Sequence, residues 1–142
     1  MTPFASLEPM VRASARQVDF DASAVADALS ATLECMALCT MCADACAAEE
    51  SSEALKQCVR MTSDCADLCG VSARLLCRTG KPDVSTLRAT LEATVHISTA
   101  CATECEKHAE HHEHCKLCAV ACRSAARACH AALEALTEGP SS

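Results

Sequence analysis

The segment Cys35-Met-Ala-Leu-Cys39-Thr-Met-Cys42-Ala-Asp-Ala-Cys46 decides the fold of this chain. Its four cysteines follow one another at intervals of three and four residues. Because an α-helix makes one turn every 3.6 residues, their side chains lie along one face of a helix. A helix face that leucine and isoleucine usually form is here formed by sulfur. The pattern therefore predicts a metal site inside the protein in place of an ordinary apolar core.

The same cysteine stripe returns in three later segments. A second predicted helix carries Cys58, Cys65, Cys69 and Cys77, a third carries Cys101 and Cys105, and a fourth carries Cys115, Cys118, Cys122 and Cys129. Cys77 fits its stripe least well, since it lies about 80° from the direction set by Cys69. Fourteen cysteines in one chain of 142 residues exceed what a single structural or catalytic site needs. We interpret all fourteen as metal ligands and their number as storage capacity.

Helix breakers are rare and fall between the stripes. The chain has three glycines and four prolines, and Arg78-Thr-Gly-Lys-Pro-Asp83 is its strongest stop signal. This spacing predicts an all-α fold, an antiparallel up-down-up-down four-helix bundle with a cysteine-lined interior. We expect an N-terminal arm over residues 1–21, with a short helix after Pro9, then the bundle over 22–138 and a tail over 139–142.

Such a bundle has two chemically different ends. The turn near Glu50 and the turn near His111 share one end, which is polar and forms a mouth to the interior. The other end is apolar and carries Leu76, Leu87, Leu91 and Leu133.

Histidines continue the sulfur stripe toward the polar mouth. His108 lies about 20° from the direction of Cys101. Imidazole is a common copper ligand, so we expect His108 and one of His111 or His112 to form a site for metal uptake. His114 lies to the side of its stripe, and the pattern leaves its role open.

Copper(I) fits these ligands best. Thiolates are soft ligands that suit Cu(I), Zn(II) and Fe–S clusters. Pairs four residues apart in a continuous helix suit an ion that accepts two or three thiolates, and one Cu(I) per displaced thiol proton keeps the core neutral. Disulfides within a helix are disfavoured, because Cβ atoms about 5–6 Å apart exceed the roughly 3.5–4.5 Å that a disulfide spans. We expect several Cu(I) ions per chain.

Charge and composition restrict the partners. The net charge is −7 and no basic patch occurs, so a nucleic-acid partner is not expected. The sequence shows no recognisable export leader, and we expect no segment long and apolar enough to span a membrane. We therefore predict a cytoplasmic location and no membrane partner.

Three segments together resemble the bacterial copper storage proteins. They are Cys58-Val-Arg-Met-Thr-Ser-Asp-Cys65-Ala-Asp-Leu-Cys69, Cys101-Ala-Thr-Glu-Cys105-Glu-Lys-His108 and His114-Cys115-Lys-Leu-Cys118-Ala-Val-Ala-Cys122. The resemblance covers roughly residues 30–135. It implies Cu(I) held by thiolates along a four-helix bundle, uptake through the histidine-bearing end, a homotetramer and the cytosolic branch. The chain departs from a fully sulfur-lined bundle at inner positions that include Thr62, Thr94 and Ser98.

Other functions remain open at this point. An Fe–S electron carrier would need four converging cysteines, but ferredoxin spacings such as CxxCxxC do not occur. A zinc or general thiol buffer with a metallothionein-like role would use the same ligands. A thiol redox enzyme would need one exposed cysteine with a lowered pKa and a resolving partner, and no cysteine stands out. We therefore expect a storage protein and not an enzyme.

Overall fold

The computed structural model describes residues 4–14, 20–50 and 53–137. Its secondary structure over these residues is helical, in agreement with the predicted all-α class. The expected tail over 139–142 lies outside the described residues. The helices are α1 Leu7–Ala13, α2 Ala22–Ala48, α3 Lys56–Leu76, α4 Val84–Glu106 and α5 Glu113–Thr137.

Side-chain caps fix two of the helix starts. Asp21 precedes α2 and accepts a hydrogen bond from the backbone N–H of Ser23 at 3.0 Å. Asp83 caps α4 in the same way, accepting from the backbone N–H of Thr86 at 3.2 Å. Ser51 and Ser52, which the sequence favours as caps of α3, lie outside the described residues.

The short N-terminal helix begins earlier than expected. α1 starts at Leu7, so Pro9 lies within its first turn and not ahead of it. Proline is tolerated there because the first N–H groups of a helix have no partner within the helix. α1 packs against α2 and buries Val11.

The four long helices each pack against two others. α2 contacts α3 and α5, and α4 contacts the same two helices. Their inner faces form two buried clusters. The first, here called the sulfur core, contains Cys35, Cys39, Cys42, Cys46, Cys58, Cys65, Cys69, Cys101, Cys105, Cys115, Cys118 and Cys122. The second, the apolar base, includes Phe20, Val25, Leu29, Leu76, Leu87, Leu91, Cys129 and Leu136.

A group of buried hydroxyls separates the two clusters along the helices. This hydroxyl layer consists of Thr32, Ser72, Thr94 and Ser98. The hydroxyls of Ser72 and Thr94 lie 2.6 Å apart, and Thr32 donates to the carbonyl of Ala28 at 2.8 Å. The position of the layer follows from the sequence. On α4, Thr94 stands between Leu91 of the base and Cys101, and on α3, Ser72 stands between Cys69 and Leu76 of the base.

We expected no segment long and apolar enough to span a membrane. By length and composition alone, α2 contradicts this expectation. One helix in the described part of the chain, Ala22–Ala48, meets that criterion. Its apolar character comes largely from alanine and cysteine. Core helices of soluble proteins meet the same criterion, so this is weak evidence for a membrane segment.

Candidate metal centre

The sulfur core consists of overlapping groups of potential metal ligands. The ligand atoms within each group all lie within 4.8 Å of one another. The groups are Cys35, Cys39, Cys65 and Cys122; Cys39, Cys101, Cys118 and Cys122; Cys42, Cys58 and Cys105; and Cys42, Cys46, His114 and Cys115. Three cysteines each belong to two groups. The groups thus form two pairs of adjoining sites, one sharing Cys39 and Cys122 and the other sharing Cys42.

The distances between sulfurs suit a shared metal ion. The Sγ atoms of Cys35 and Cys39 lie 3.6 Å apart, as do those of Cys39 and Cys118. Cys58 and Cys105, on α3 and α4, are 3.7 Å apart. A disulfide bond is about 2.05 Å long, and all fourteen cysteines are free. Two ligands bound to one ion at about 2.3 Å are separated by distances of this size.

Burial favours the protonated form of the Cys46 and Cys129 thiols. It raises the pKa of Cys46 to about 11 and that of Cys129 to about 12, because the charged thiolate loses hydration. Metal binding must therefore displace protons. Each Cu(I) that replaces one thiol proton leaves the charge of the buried core unchanged.

We expect the empty protein to lose stability above pH 9. The pKa of Cys129 rises on folding from 9.0 to about 12, so its contribution is complete below pH 9 and falls as the pH rises toward 12. The slope is about 1.4 kcal/mol per pH unit for one thiol. Urea unfolding of the reduced protein from pH 7.5 to 10.5 measures it. Cys129→Ala should have a shallower slope, and identical slopes would contradict the assignment.

His114 connects the sulfur core to the polar mouth. Its Nδ1 lies 3.5 Å from the sulfurs of Cys42 and Cys115 and 3.8 Å from that of Cys46. Its Nε2 lies 3.1 Å from Oε1 of Glu49. If Nε2 carries the proton and donates to this carboxylate, the lone pair of Nδ1 faces three sulfurs. Carboxylates orient metal-binding histidines in this way.

The other mouth histidines lie at different depths. His108 is half-buried, with Nε2 3.0 Å from Oε2 of the buried Glu104. Lys107 contacts the second oxygen of that carboxylate at 3.2 Å. His112 is half-buried, with Nδ1 3.5 Å from Oε1 of Glu49. His111, the alternative to His112 in the predicted uptake site, is exposed.

Three predicted cysteine ligands lie outside these groups. Cys77 is exposed: it follows the last residue of α3 with helical backbone angles and lies about 80° around the helix from Cys69. Cys129 is buried, but in the apolar base. Cys69 belongs to the sulfur core, and its sulfur lies 4.0 Å from the hydroxyl of Ser98.

The sequence interpretation missed the positions of His114 and Glu49. The available signal was the start of the last helix. With α5 beginning at Glu113, His114 stands four residues before Cys118, about 40° away around the helix. Glu49 follows the last residue of α2, at a helix end where a carboxylate is usually solvated. Its contact with His114 joins residues far apart in sequence, which helix periodicity does not report.

Comparison with known proteins identifies the family. The model of the copper storage protein family matches residues 21–134. A solved structure of the copper storage protein Ccsp from Streptomyces lividans, loaded with 10 copper equivalents, is 38% identical. The alignment covers 91% of this chain and 98% of that one, with a TM-score of 0.85.

Two further structures agree with that match. A cytosolic copper storage protein from Streptomyces lividans with five coppers is 42% identical over 79% of this chain and 93% of that one, with a TM-score of 0.77. The Cu(I)-bound copper storage protein BsCsp3 is 31% identical over 75% and 94%, with a TM-score of 0.66. The search of curated proteins found no match to this chain. The chain belongs to the copper storage protein family.

Proposed function

We propose that this chain stores copper as several Cu(I) ions bound to thiolates inside its helical bundle. The observation that carries the proposal is that the interior holds four groups of potential ligands in two pairs, and the groups of each pair share cysteines. Neighbouring sites that share ligands can hold many ions in little volume, whereas a catalytic site needs one open position. The copper-loaded relatives support the same function.

The proposed ligands are the cysteines of the sulfur core together with His114. His108 and His112 are proposed to receive copper at the mouth, since both are half-buried and face the same end as Glu49. The exposed positions of Cys77 and His111 argue against a role in the interior. The apolar surroundings of Cys129 argue against it as well.

We propose the antiparallel up-down-up-down arrangement for the four long helices. The order of the sulfur contacts between α2 and α5 supports an antiparallel arrangement of that pair. Along α2, Cys35 contacts Cys122, Cys39 contacts Cys118, and Cys46 contacts Cys115. The numbers rise on one helix and fall on the other. The proposed division keeps residues 1–21 as an arm, 22–138 as the bundle and 139–142 as a tail.

The copper storage family is not a class of enzymes, and we propose no catalytic role for this chain. A cytoplasmic location and a homotetramer are part of the proposal. The first is supported by the cytosolic relative from Streptomyces lividans. The second rests on the family resemblance, and sedimentation equilibrium of the purified protein tests it.

Anaerobic titration of the reduced protein with Cu(I), against a competing chelator, tests the storage function. We expect tight binding of about one Cu(I) for each of the twelve cysteines in the sulfur core, without loss of helix content. Copper per chain is read by elemental analysis and helix content by circular dichroism.

Two outcomes would contradict storage of Cu(I). Saturation at one or two ions would indicate a discrete site. Displacement of Cu(I) by Zn(II) would favour a zinc or thiol buffer, and retention of iron with acid-labile sulfide would favour an electron carrier.

A further inference from the structure

We infer that Glu49, His112 and His114 form a binding site for one divalent cation of borderline softness, such as Zn(II), at the mouth of the bundle. This inference rests on the proposed copper storage, because it assumes that Cu(I) occupies the thiolates. The site lies outside the sulfur core and uses nitrogen and oxygen ligands.

The three ligand atoms converge on one point. Oε1 of Glu49 lies 3.1 Å from Nε2 of His114 and 3.5 Å from Nδ1 of His112. All three atoms lie within 4.8 Å of one another, and the two imidazole rings have centroids 5.3 Å apart. A tetrahedral ion with bonds of about 2.0–2.1 Å separates its ligands by about 3.3 Å. The two separations from Glu49 are close to the edge of such a tetrahedron.

The ligand types favour a divalent cation over Cu(I). Two imidazoles and a carboxylate suit Zn(II), Cu(II) and related ions, whereas Cu(I) prefers thiolates. Cysteine sulfurs lie close behind His114, so a Cu(I) ion that reaches the mouth has a softer site within a few ångströms. A divalent ion bound to Glu49 is also attracted by the charge of the carboxylate. Among the described residues, Glu49 forms ion pairs only with His112 and His114.

His114 cannot serve both sites fully as a neutral ring. A neutral imidazole has one lone pair and one N–H. When Nε2 binds the mouth cation, Nδ1 carries the proton and no longer faces Cys42 and Cys115 as a ligand. The three sulfurs of that group can still hold Cu(I) without His114. The mouth cation therefore changes one nitrogen ligand of the outermost copper and leaves the copper content unchanged.

Zn(II) binding to the Cu(I)-loaded protein tests the inference. Loading with Cu(I) first occupies the thiolates, and equilibrium dialysis then counts the zinc bound. We expect one Zn(II) per chain. Its X-ray absorption spectrum should show only nitrogen and oxygen neighbours at about 2.0–2.2 Å and no sulfur at about 2.3 Å.

Two variants and two matched controls assign the site. Glu49→Gln and His112→Ala should each weaken Zn(II) binding at least tenfold when compared with the unmodified protein at equal Cu(I) loading. Glu50→Gln and His111→Ala change exposed neighbours of the same types and should bind Zn(II) as the unmodified protein does.

Several results would overturn the site. They are absence of bound zinc in the loaded protein, a sulfur shell around the zinc, or equal affinity in Glu49→Gln and its Glu50 control. Because copper content is measured in the same samples, failure of copper loading would count against the storage function and not against the mouth site. The X-ray absorption spectrum of Zn(II) in the unmodified protein tests the site even if a variant does not fold.

Discussion

Replacing both Cys39 and Cys122 with alanine is expected to lower copper capacity by more than one Cu(I) for each thiol removed. Each of these cysteines belongs to two of the sulfur groups. Without them, one group keeps only Cys35 and Cys65, and the other keeps only Cys101 and Cys118. Adjoining ions that shared these ligands are lost together. Anaerobic titration with Cu(I) and elemental analysis measure the loss.

A second pair provides the matched control. Cys77→Ala with Cys129→Ala also removes two thiols, but from the surface and from the apolar base. This double variant should keep the full copper capacity. Equal losses in the two double variants would show that copper binding does not depend on the grouping of the sulfurs, and would count against the proposed ligand set.

Leu91→Ala is expected to lower the free energy of unfolding of the empty protein by about 2–5 kcal/mol. The side chain of Leu91 is fully buried in the apolar base, and its removal costs both transfer free energy and the free energy of the cavity left behind. Urea denaturation of the reduced, copper-free protein measures the change. The folded variant should still bind the full amount of Cu(I), since the sulfur core is a separate cluster.

Leu117→Ala makes the same chemical change at a position that is 54% exposed. We expect its effect on stability to stay within about 0.5 kcal/mol. If both leucine variants are equally stable, the base does not support the fold as described. If Leu91→Ala folds but loses copper, the two clusters are coupled. Copper should raise the stability of both variants, because it binds the folded state in preference to the unfolded one.

Helix periodicity predicted the parts of the site that repeat along a helix. Cys35, Cys39, Cys42 and Cys46 lie on one buried face because three- and four-residue spacing fixes that face in any α-helix. The apolar end was predictable in the same way, and its leucines now form the base. These predictions needed no information on contacts between distant segments.

Positions at helix ends were less predictable. Cys77 stands just after α3, at the edge of its stripe, and is exposed, whereas His114 joins the sulfurs because α5 starts at Glu113. A shift of one residue rotates a side chain by about 100° around a helix axis. Helix ends depend on caps and turns, which composition locates only to within a few residues. The role of Glu49 depended on a contact across the bundle and lay beyond any local pattern.

We expect the hydroxyl layer to limit how deep metal can enter this protein. Thr32 bonds to the carbonyl of Ala28 and Ser72 to Thr94, while Ser98 contacts the sulfurs of Cys65 and Cys69. All four side chains offer hard oxygen and no soft ligand. Below them, the leucine packing holds the helices together without metal. We therefore expect the protein to stay folded without metal. Its copper capacity can then change when a single serine or threonine is exchanged for cysteine, at positions such as Ser98, while the leucine packing stays intact.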